Sequence, residues 1–176
     1  SVFLNTNYER YILADINEDL ISLFNIIKNK PNKFIEDAKL LFTEQNNQAG
    51  AFYELREHFN NSQNPYQRAL LFLYLNRHCY NGLCRYNNSG EFNVPFGQYQ
   101  NIYFPENELF AFSEKAQRAE FICSPYDKVM KKAQKGAVIY CDPPYMPLSQ
   151  SANFTAYYSI NFTVRDQKRL ALIALK

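Results

Sequence analysis

Residues 138–145 read Val-Ile-Tyr-Cys-Asp-Pro-Pro-Tyr, an apolar run that a polar turn stops abruptly. Residues 137–141 are rich in β-forming side chains and have the length of a strand that is buried on both faces, as strands of parallel sheets are. The turn at residues 142–145 would then lie at the carboxyl end of that strand. Open α/β sheets bind their ligands at this edge. The stretch therefore predicts an α/β fold with a functional site in the turn.

The two prolines make this turn rigid and give its backbone only acceptors. Each proline holds its own φ near about −65°, and Pro144 pushes Pro143 toward extended conformations. Neither has an N–H group, so the carbonyl oxygens have no competing donors beside them. With the carboxylate of Asp142 and the ring of Tyr145, the turn can accept two hydrogen bonds from an amine and stack on a planar base. The alternative is a plain strand-ending turn, because Asp and Pro are common turn residues.

Length and composition indicate one domain with an ample core. The chain has 176 residues, of which 47% are apolar, and its net charge of +2 neither demands nor excludes a basic nucleic-acid surface. The four cysteines have no metal-like spacing, which predicts reduced thiols in an intracellular protein. No apolar run reaches the roughly 18 residues of a membrane span, and no signal peptide is visible.

The sequence at both ends of the chain is typical of a truncated protein. The sequence starts at Ser1 without a Met and stops at Lys176 inside an amphipathic run that begins near Thr163. We therefore expect an internal piece of a longer protein.

The N-terminal region has the order strand, acid, helix. Residues 11–14 are apolar and end at Asp15, Ile16 follows, and Asn17 is a good N-cap for the apolar helical pattern of residues 20–27. In nucleotide-binding α/β folds, an acid at a strand end accepts hydrogen bonds from ribose hydroxyls. The alternative role of Asp15 is helix entry.

Residues 31–77 show helical periodicity with an Asn64-Pro65 helix start, and they predict an inserted helical lobe. In residues 76–97 turn residues replace this pattern: Asn81-Gly82 permits a positive φ, and residues 87–90 connect two arms of a predicted hairpin. The hairpin interleaves cations, aromatics and amides, the groups that read bases and hold phosphates. The alternatives are an Asn-rich surface hairpin and zinc binding by nearby His and Cys, which the missing second Cys pair disfavours.

The remaining residues predict a helix at 106–118, a strand at 121–123 and a short helix at 127–133. The strand ends at Asp15, Tyr126 and Asp142 are expected to line one crevice. Residues 146–161 have the length of a lid. Thr163 with Asp166 resembles a capping box at the start of the last helix.

Taken together, these segments resemble the Dam-type DNA adenine methyltransferases, which methylate the adenine amine of GATC. The resemblance spans nearly the whole chain, and the stretch Tyr-Asn-Gly-Leu-Cys-Arg-Tyr-Asn at residues 80–87 is far more specific than the tetrapeptide at 142–145. It implies an α/β fold: an incomplete Rossmann-like sheet of the S-adenosylmethionine-dependent methyltransferases, with an inserted helical and β-hairpin target-recognition domain. Residues 1–30 are expected to be part of the catalytic and cofactor domain, residues 31–105 to form the target-recognition domain of helices and hairpin, and residues 106–176 to form the catalytic domain with the turn at 142–145.

The resemblance also implies roles for individual residues. The expected catalytic residues are Asp142, Pro143, Pro144 and Tyr145. S-adenosylmethionine would contact Asp15, Ile16, Tyr126 and Asp142. Double-stranded DNA containing GATC would contact Tyr80, Asn81, Leu83, Arg85, Asn87 and Pro95. No metal and no membrane are expected, and the protein would be a monomer in the cytoplasm, associated with the nucleoid of a bacterium or acting for a phage.

Two other functions remain open at this stage. One is methylation of an RNA base or of a protein glutamine amide, and the other is DNA binding without catalysis. The family's Gly-rich cofactor loop, expected just before Ser1, is absent from the chain. We therefore expect the 176 residues alone to bind S-adenosylmethionine poorly and to be inactive.

Overall fold

The computed structural model describes residues 2–143 and 162–175, which form mostly helices and one small sheet. In chain order its elements are α1 (Val2–Asn5), β1 (Tyr11–Asp15), α2 (Glu18–Asn29), α3 (Pro31–Lys39), α4 (Ala49–Asn61), α5 (Pro65–His78), a 3-10 turn (Tyr80–Gly82), α6 (Glu106–Ala116), β2 (Ala119–Cys123), α7 (Tyr126–Met130) and α8 (Val164–Ala174). Among these helices, none is long and apolar enough to cross a bilayer.

The sheet consists of β1 and β2, which pair in parallel from Tyr11 beside Ala119 to Asp15 beside Cys123. The strands predicted at residues 11–14 and 121–123 are thus confirmed, and they are neighbours. Ser124 N–H donates to the Asp15 carbonyl at 3.0 Å and continues the pairing past the strand ends. This register brings the carboxyl ends of both strands to one edge of the sheet.

The strand predicted at residues 137–141 is not formed, and that prediction is wrong for this structure. Val138 is 72% exposed and Tyr140 is 65% exposed, where a central strand would bury them. A strand needs a neighbour for its backbone hydrogen bonds and apolar layers on its faces. Within the described residues this segment pairs with neither β1 nor β2, so its apolar composition alone does not make it a strand.

The predicted helical lobe is confirmed as α3, α4 and α5. The α5 helix is its centre, because Ala69 and all five residues of 71–75 are buried. Its N-cap, Asn64, accepts hydrogen bonds from the N–H groups of Tyr66 and Gln67, with Pro65 in the first turn as expected. The core around α5 is aromatic and includes the fully buried rings of Phe34, Phe52, Phe59 and Tyr74.

The α2 helix joins this lobe to the sheet. Leu23 and Ile27 pack into the lobe core. Ile21 and Phe24 belong to a second apolar cluster with Phe121 of β2. Because α2 has apolar residues on two sides, its N-terminus is held between the lobe and the end of β1.

The last two helices contact each other. Thr163 and Asp166 form the predicted capping box at the start of α8. An ion pair joins Arg169 to Asp127, and the Tyr126 hydroxyl donates to the Asp166 carbonyl at 3.1 Å. The helix predicted at residues 127–133 is shorter, since α7 ends at Met130.

Candidate functional site

The first candidate site is the turn that follows β1. The Asp15 carboxylate accepts the Asn17 N–H at 2.8 Å through Oδ1, and the Asn17 side chain accepts the Leu20 N–H at 3.1 Å as the N-cap of α2. Asn17 is only 7% exposed, whereas Asp15 is exposed. The capped helix therefore orients Asp15 at the carboxyl edge of the sheet, beside half-buried Ile16, and the second Asp15 oxygen has no hydrogen bond to any described residue. Such an acceptor suits a vicinal diol.

Tyr126 lies on the neighbouring strand end, as predicted. It begins α7 directly after β2, and Ser124 bonds to the Asp15 backbone two residues before it. Its hydroxyl is held by α8 and its ring centroid is 5.8 Å from that of Phe162. The β1 and β2 ends thus share one edge.

No strand leads from residues 137–141 to Asp142 in the part of the chain that the structure describes. Asp142 and Pro143 lie in the irregular segment after α7, and Asp142 is exposed with no hydrogen bond or ion pair to any described residue. Pro144 and Tyr145 lie outside the described residues. Two of the three predicted strand ends are therefore adjacent, whereas residues 137–141, which are expected to carry Asp142 to them, do not form a strand.

The second candidate site is the hairpin, whose turn is present as predicted. Asn87 N–H donates to the Glu91 carbonyl at 2.9 Å, and Asn93 N–H donates to the Arg85 carbonyl at 3.1 Å. The Asn87 side chain holds the turn itself, because its Oδ1 accepts two backbone N–H groups and its Nδ2 donates to Glu91. Strand pairing is limited to two isolated antiparallel bridges, one joining Tyr86 to Phe92 and one joining Cys79 to Phe96.

The outer face of the hairpin collects most of the predicted DNA-contacting residues. Tyr80 is 53% exposed and its N–H donates to the Pro95 carbonyl at 2.8 Å, which joins the two arms. Asn81 is exposed with φ of 53°, and its N–H donates to the Tyr99 hydroxyl at 2.9 Å. Leu83 differs from these residues, since it is half-buried against the lobe core.

Arg85 is held in place while still facing outward. Its Nε donates to Asn93 Oδ1 at 2.8 Å and its Nη2 donates to the Asn93 carbonyl at 3.2 Å. These bonds use two of the five N–H donors of the guanidinium, and the others remain for a planar acceptor pair. An exposed, oriented guanidinium of this kind suits a guanine edge or a phosphate.

The inner face of the hairpin makes contacts that the sequence reasoning missed. Asn17 Nδ2 donates to Cys84 Sγ at 3.4 Å, and the Tyr86 hydroxyl donates to Asp19 Oδ2 at 2.8 Å. Burial raises the pKa of Cys84 to about 12, and burial together with the charge of Asp19 raises the pKa of Tyr86. Both groups therefore stay protonated at neutral pH. The alternation of an extended segment, which turns 84 and 86 away from 85, was the signal available in the sequence.

The comparisons with known proteins cover the whole chain. Residues 1–176 match the family described as D12 class N6 adenine-specific DNA methyltransferase. The chain belongs to this family. It is 61% identical over 174 residues to the DNA adenine methylase of Serratia marcescens, which covers 99% of this chain and 64% of that protein. It is 58% identical to the DNA adenine methylase of Escherichia coli strain K12, covering 99% of this chain and 63% of that protein.

A relative of lower identity carries the same name. The DNA adenine methylase of Vibrio cholerae strain N16961 is 54% identical over 176 residues, covering 100% of this chain and 64% of that protein. The chain thus spans less than two thirds of the length of these curated relatives. In this D12 family member, a mixed α/β structure with a small parallel sheet presents Asp15 at a strand edge and Arg85 on a hairpin.

His78 and Cys79 make hydrogen bonds to backbone carbonyls next to the hairpin. His78 is buried, and its Nδ1 lies 2.8 Å from the Tyr74 carbonyl. Cys79 donates from Sγ to the Leu83 carbonyl at 3.3 Å. In the part of the chain that the structure describes, no three His, Cys, Asp or Glu side chains form a group that could hold a metal ion.

Proposed function

We propose that this chain forms the target-recognition and catalytic middle of a site-specific DNA methyltransferase, which transfers a methyl group from S-adenosylmethionine to the exocyclic amine of adenine in GATC. The observation that carries the proposal is the hairpin. Its outer face presents Tyr80, Asn81 and Arg85, and its inner face rests on the helix that orients Asp15. Membership of the D12 family supports the same chemistry.

The proposed fold completes the small sheet into a Rossmann-like methyltransferase sheet. Residues 1–30 and 106–176 would belong to its cofactor and catalytic domain, and residues 31–105 to an inserted recognition domain. The parallel pair β1 and β2 supports this assignment, because the helical lobe is the connection between them. The working enzyme would be a monomer in the cytoplasm.

The residues at the sheet edge fit S-adenosylmethionine. The outward oxygen of Asp15 is an acceptor for ribose hydroxyls, and Ile16 offers a half-buried apolar side chain for the adenine. Tyr126 would lie at the neighbouring strand end, and Asp142 would come next to them where residues 137–141 form a strand of the completed sheet. The cofactor supplies an electrophilic methyl group on a sulfonium.

The turn at residues 142–145 would hold the target amine. The Asp142 carboxylate and the Pro143 carbonyl accept its two hydrogens, which favours a pyramidal nitrogen whose lone pair can attack. They also stabilise positive charge as it develops, so that the turn acts through position and electrostatics. Pro144 keeps the turn rigid, and Tyr145 stacks on the base. Held in this way by Asp142 and Pro143, the lone pair of the amine would face the methyl group that the cofactor supplies.

The hairpin would read the DNA around that base. The target must leave the stack, at a cost of a few kcal/mol. Tyr80 and the exposed part of Leu83 would supply surfaces for the gap, Asn81 would supply an amide, and Pro95 would support Tyr80 from the second arm. Asn87 would act by holding the turn, because its side-chain amide is bonded there. Arg85 would pair with a guanine edge.

A chimera tests the catalytic proposal. Residues 1–176 replace the matching segment of the Serratia marcescens methylase, and transfer of labelled methyl is measured on a GATC duplex and on one whose target adenines are already methylated. We expect incorporation into the first duplex alone. Asp142→Ala should lower the rate by at least about 100-fold, with duplex affinity kept within about twofold. The control is Glu54→Ala, which removes an exposed carboxylate of α4.

The outcomes separate the candidate functions. An active Asp142→Ala variant would remove Asp142 from the mechanism. A folded chimera that binds cofactor but labels no DNA would refute the DNA proposal, and labelling of RNA or of a glutamine-containing protein would replace it. Duplex binding without any transfer would leave a DNA-binding protein only.

Arg85→Ala separates base reading from phosphate binding. If Arg85 pairs with guanine, the variant should lose about 1 to 3 kcal/mol of preference for GATC over a site with that base changed. An equal loss of affinity for both duplexes would instead make Arg85 a phosphate contact.

A further inference from the structure

The hairpin rests on the N-terminus of α2 through two side chains. Cys84 and Tyr86 lie on the inner face, and each is bonded to a residue of the segment that follows Asp15. Arg85 lies between them in sequence and faces outward. The group proposed to read DNA is therefore one residue from each anchor.

Asp19 is the centre of this contact. Its Oδ1 accepts from Arg68 Nε at 2.8 Å, and its Oδ2 accepts from Arg68 Nη2 at 2.9 Å and from the Tyr86 hydroxyl at 2.8 Å. Arg68 is itself fixed, because its Nη1 donates to the carbonyls of Phe59 and Ser62 and its guanidinium lies 4.2 Å from the Phe59 ring centroid. The side chains of Asp19 and Arg68 are 12% and 23% exposed. Asp19 thus joins the hairpin, the lobe and the first turn of α2.

Asn17 connects the same hairpin to Asp15. Its backbone N–H holds the Asp15 carboxylate, and its side chain caps α2 and donates to Cys84. The path from the hairpin backbone at Cys84 to the carboxylate of Asp15 therefore passes through one residue. A shift of the hairpin that breaks the Cys84 and Tyr86 contacts would free the segment that orients Asp15.

We propose that Asp19 and Asn17 are positioning residues that couple the DNA-reading hairpin to the cofactor turn, so that DNA bound at the hairpin tightens cofactor binding at Asp15. The inference rests on the proposed function. By linkage, the cofactor must tighten DNA binding by the same factor. Neither residue touches DNA or the reacting atoms in this role.

The physical basis is the cost of separating these groups. The Tyr86 hydroxyl and the Asp19 carboxylate are largely out of water, so pulling them apart leaves polar groups unsatisfied. The contact between the hairpin and α2 is therefore either made with all of its bonds or broken, and DNA tightens cofactor binding by shifting the protein from the broken to the bonded state. A ligand that holds the hairpin in the bonded state also holds Asn17 and Asp15, and this is the differential interaction that coupling requires.

The test measures the dissociation constant of S-adenosylhomocysteine for the chimera, with and without saturating GATC duplex. We expect the duplex to tighten binding at least about fivefold, within the usual range of coupling. Tyr86→Phe keeps the ring and removes the hydroxyl, and it should reduce the factor to less than about twofold. The matched control is Tyr66→Phe, which removes an equivalent 2.8 Å bond to Asp37 inside the lobe and should keep the full factor.

A second variant distinguishes a loss of coupling from a general loss of stability. Cys84→Ala removes the acceptor of Asn17 and should also lower the factor, with an unfolding midpoint near that of Tyr66→Phe. If DNA tightens S-adenosylhomocysteine binding by the same factor in the unmutated chimera, in Tyr86→Phe and in Cys84→Ala, the proposed coupling is wrong. It is also wrong if the unmutated chimera methylates GATC but binds S-adenosylhomocysteine equally with and without DNA, although that result leaves the proposed function standing. An unmutated chimera that binds neither ligand would overturn both proposals.

Discussion

The buried histidine predicts how the stability of the 176-residue chain depends on pH. His78 is 1% exposed and stacks on Tyr74 with ring centroids 3.9 Å apart. Burial lowers the pKa of His78 from 6.5 to about 4. The unfolded chain therefore takes up a proton below about pH 6.5 that the folded chain refuses until about pH 4. Folding stability is unaffected above that window and falls as the pH drops through it.

The magnitude follows from the two pKa values of His78. At about pH 5 the loss relative to pH 7.5 is about 2 kcal/mol, and it approaches about 3 kcal/mol below pH 4. Urea unfolding is measured at both pH values for the parent chain, for His78→Gln and for His58→Gln, which changes an exposed histidine. The difference in unfolding free energy between the two pH values should shrink by about 2 kcal/mol in His78→Gln alone. An unchanged difference in His78→Gln, or an equal reduction in both variants, would refute the assignment of a buried neutral His78.

Three further predictions concern packing, the ion pair and the thiols. Gly97→Ala should destabilise the chain by about 1 to 3 kcal/mol, because the new methyl group would lie 2.8 Å from the Cys79 carbonyl oxygen. Gly50→Ala should instead stabilise the chain by about 0.5 kcal/mol, because its new methyl group would meet no atom within 4 Å. Urea unfolding measures both changes in the free energy of unfolding. Arg68→Lys should cost about 2 to 3 kcal/mol by the same assay, since a lysine cannot bond both Asp19 oxygens and two carbonyls, and a cost below 0.5 kcal/mol would contradict this. Alkylation of the folded chain, read by mass spectrometry, should modify the exposed thiols of Cys123 and Cys141. It should spare buried Cys79 and half-buried Cys84, whose pKa values burial raises to about 11 and about 12.

The features that the sequence predicted well depend on neighbours a few residues apart. The helix starts at Asn17, Asn64 and Thr163 are as expected, since a side-chain oxygen there meets an N–H two or three residues on. The Asn81-Gly82 turn has the predicted positive φ for the same local reason. These elements needed no knowledge of the fold.

The candidate site was predictable in its composition and only partly in its arrangement. Asp15 and Tyr126 do lie at one edge, because the two apolar strands before them pair in parallel. Residues 137–141 are as apolar and as rich in β-forming side chains as β1 and β2. They form no strand, because none of the described strands pairs with them. Pairing is decided by a partner that periodicity does not reveal.

The sequence by itself determined the local elements, the aromatic helical lobe and the family. Only the tertiary structure decided that Asp19 contacts the hairpin through Tyr86 and is not merely an acid suited to the first turn of α2. Tyr86 is 67 residues from Asp19 along the chain and Arg68 is 49 residues away. No local pattern specifies such a contact, because it forms only when the lobe core brings α2, α5 and the hairpin together and excludes water from the groups between them.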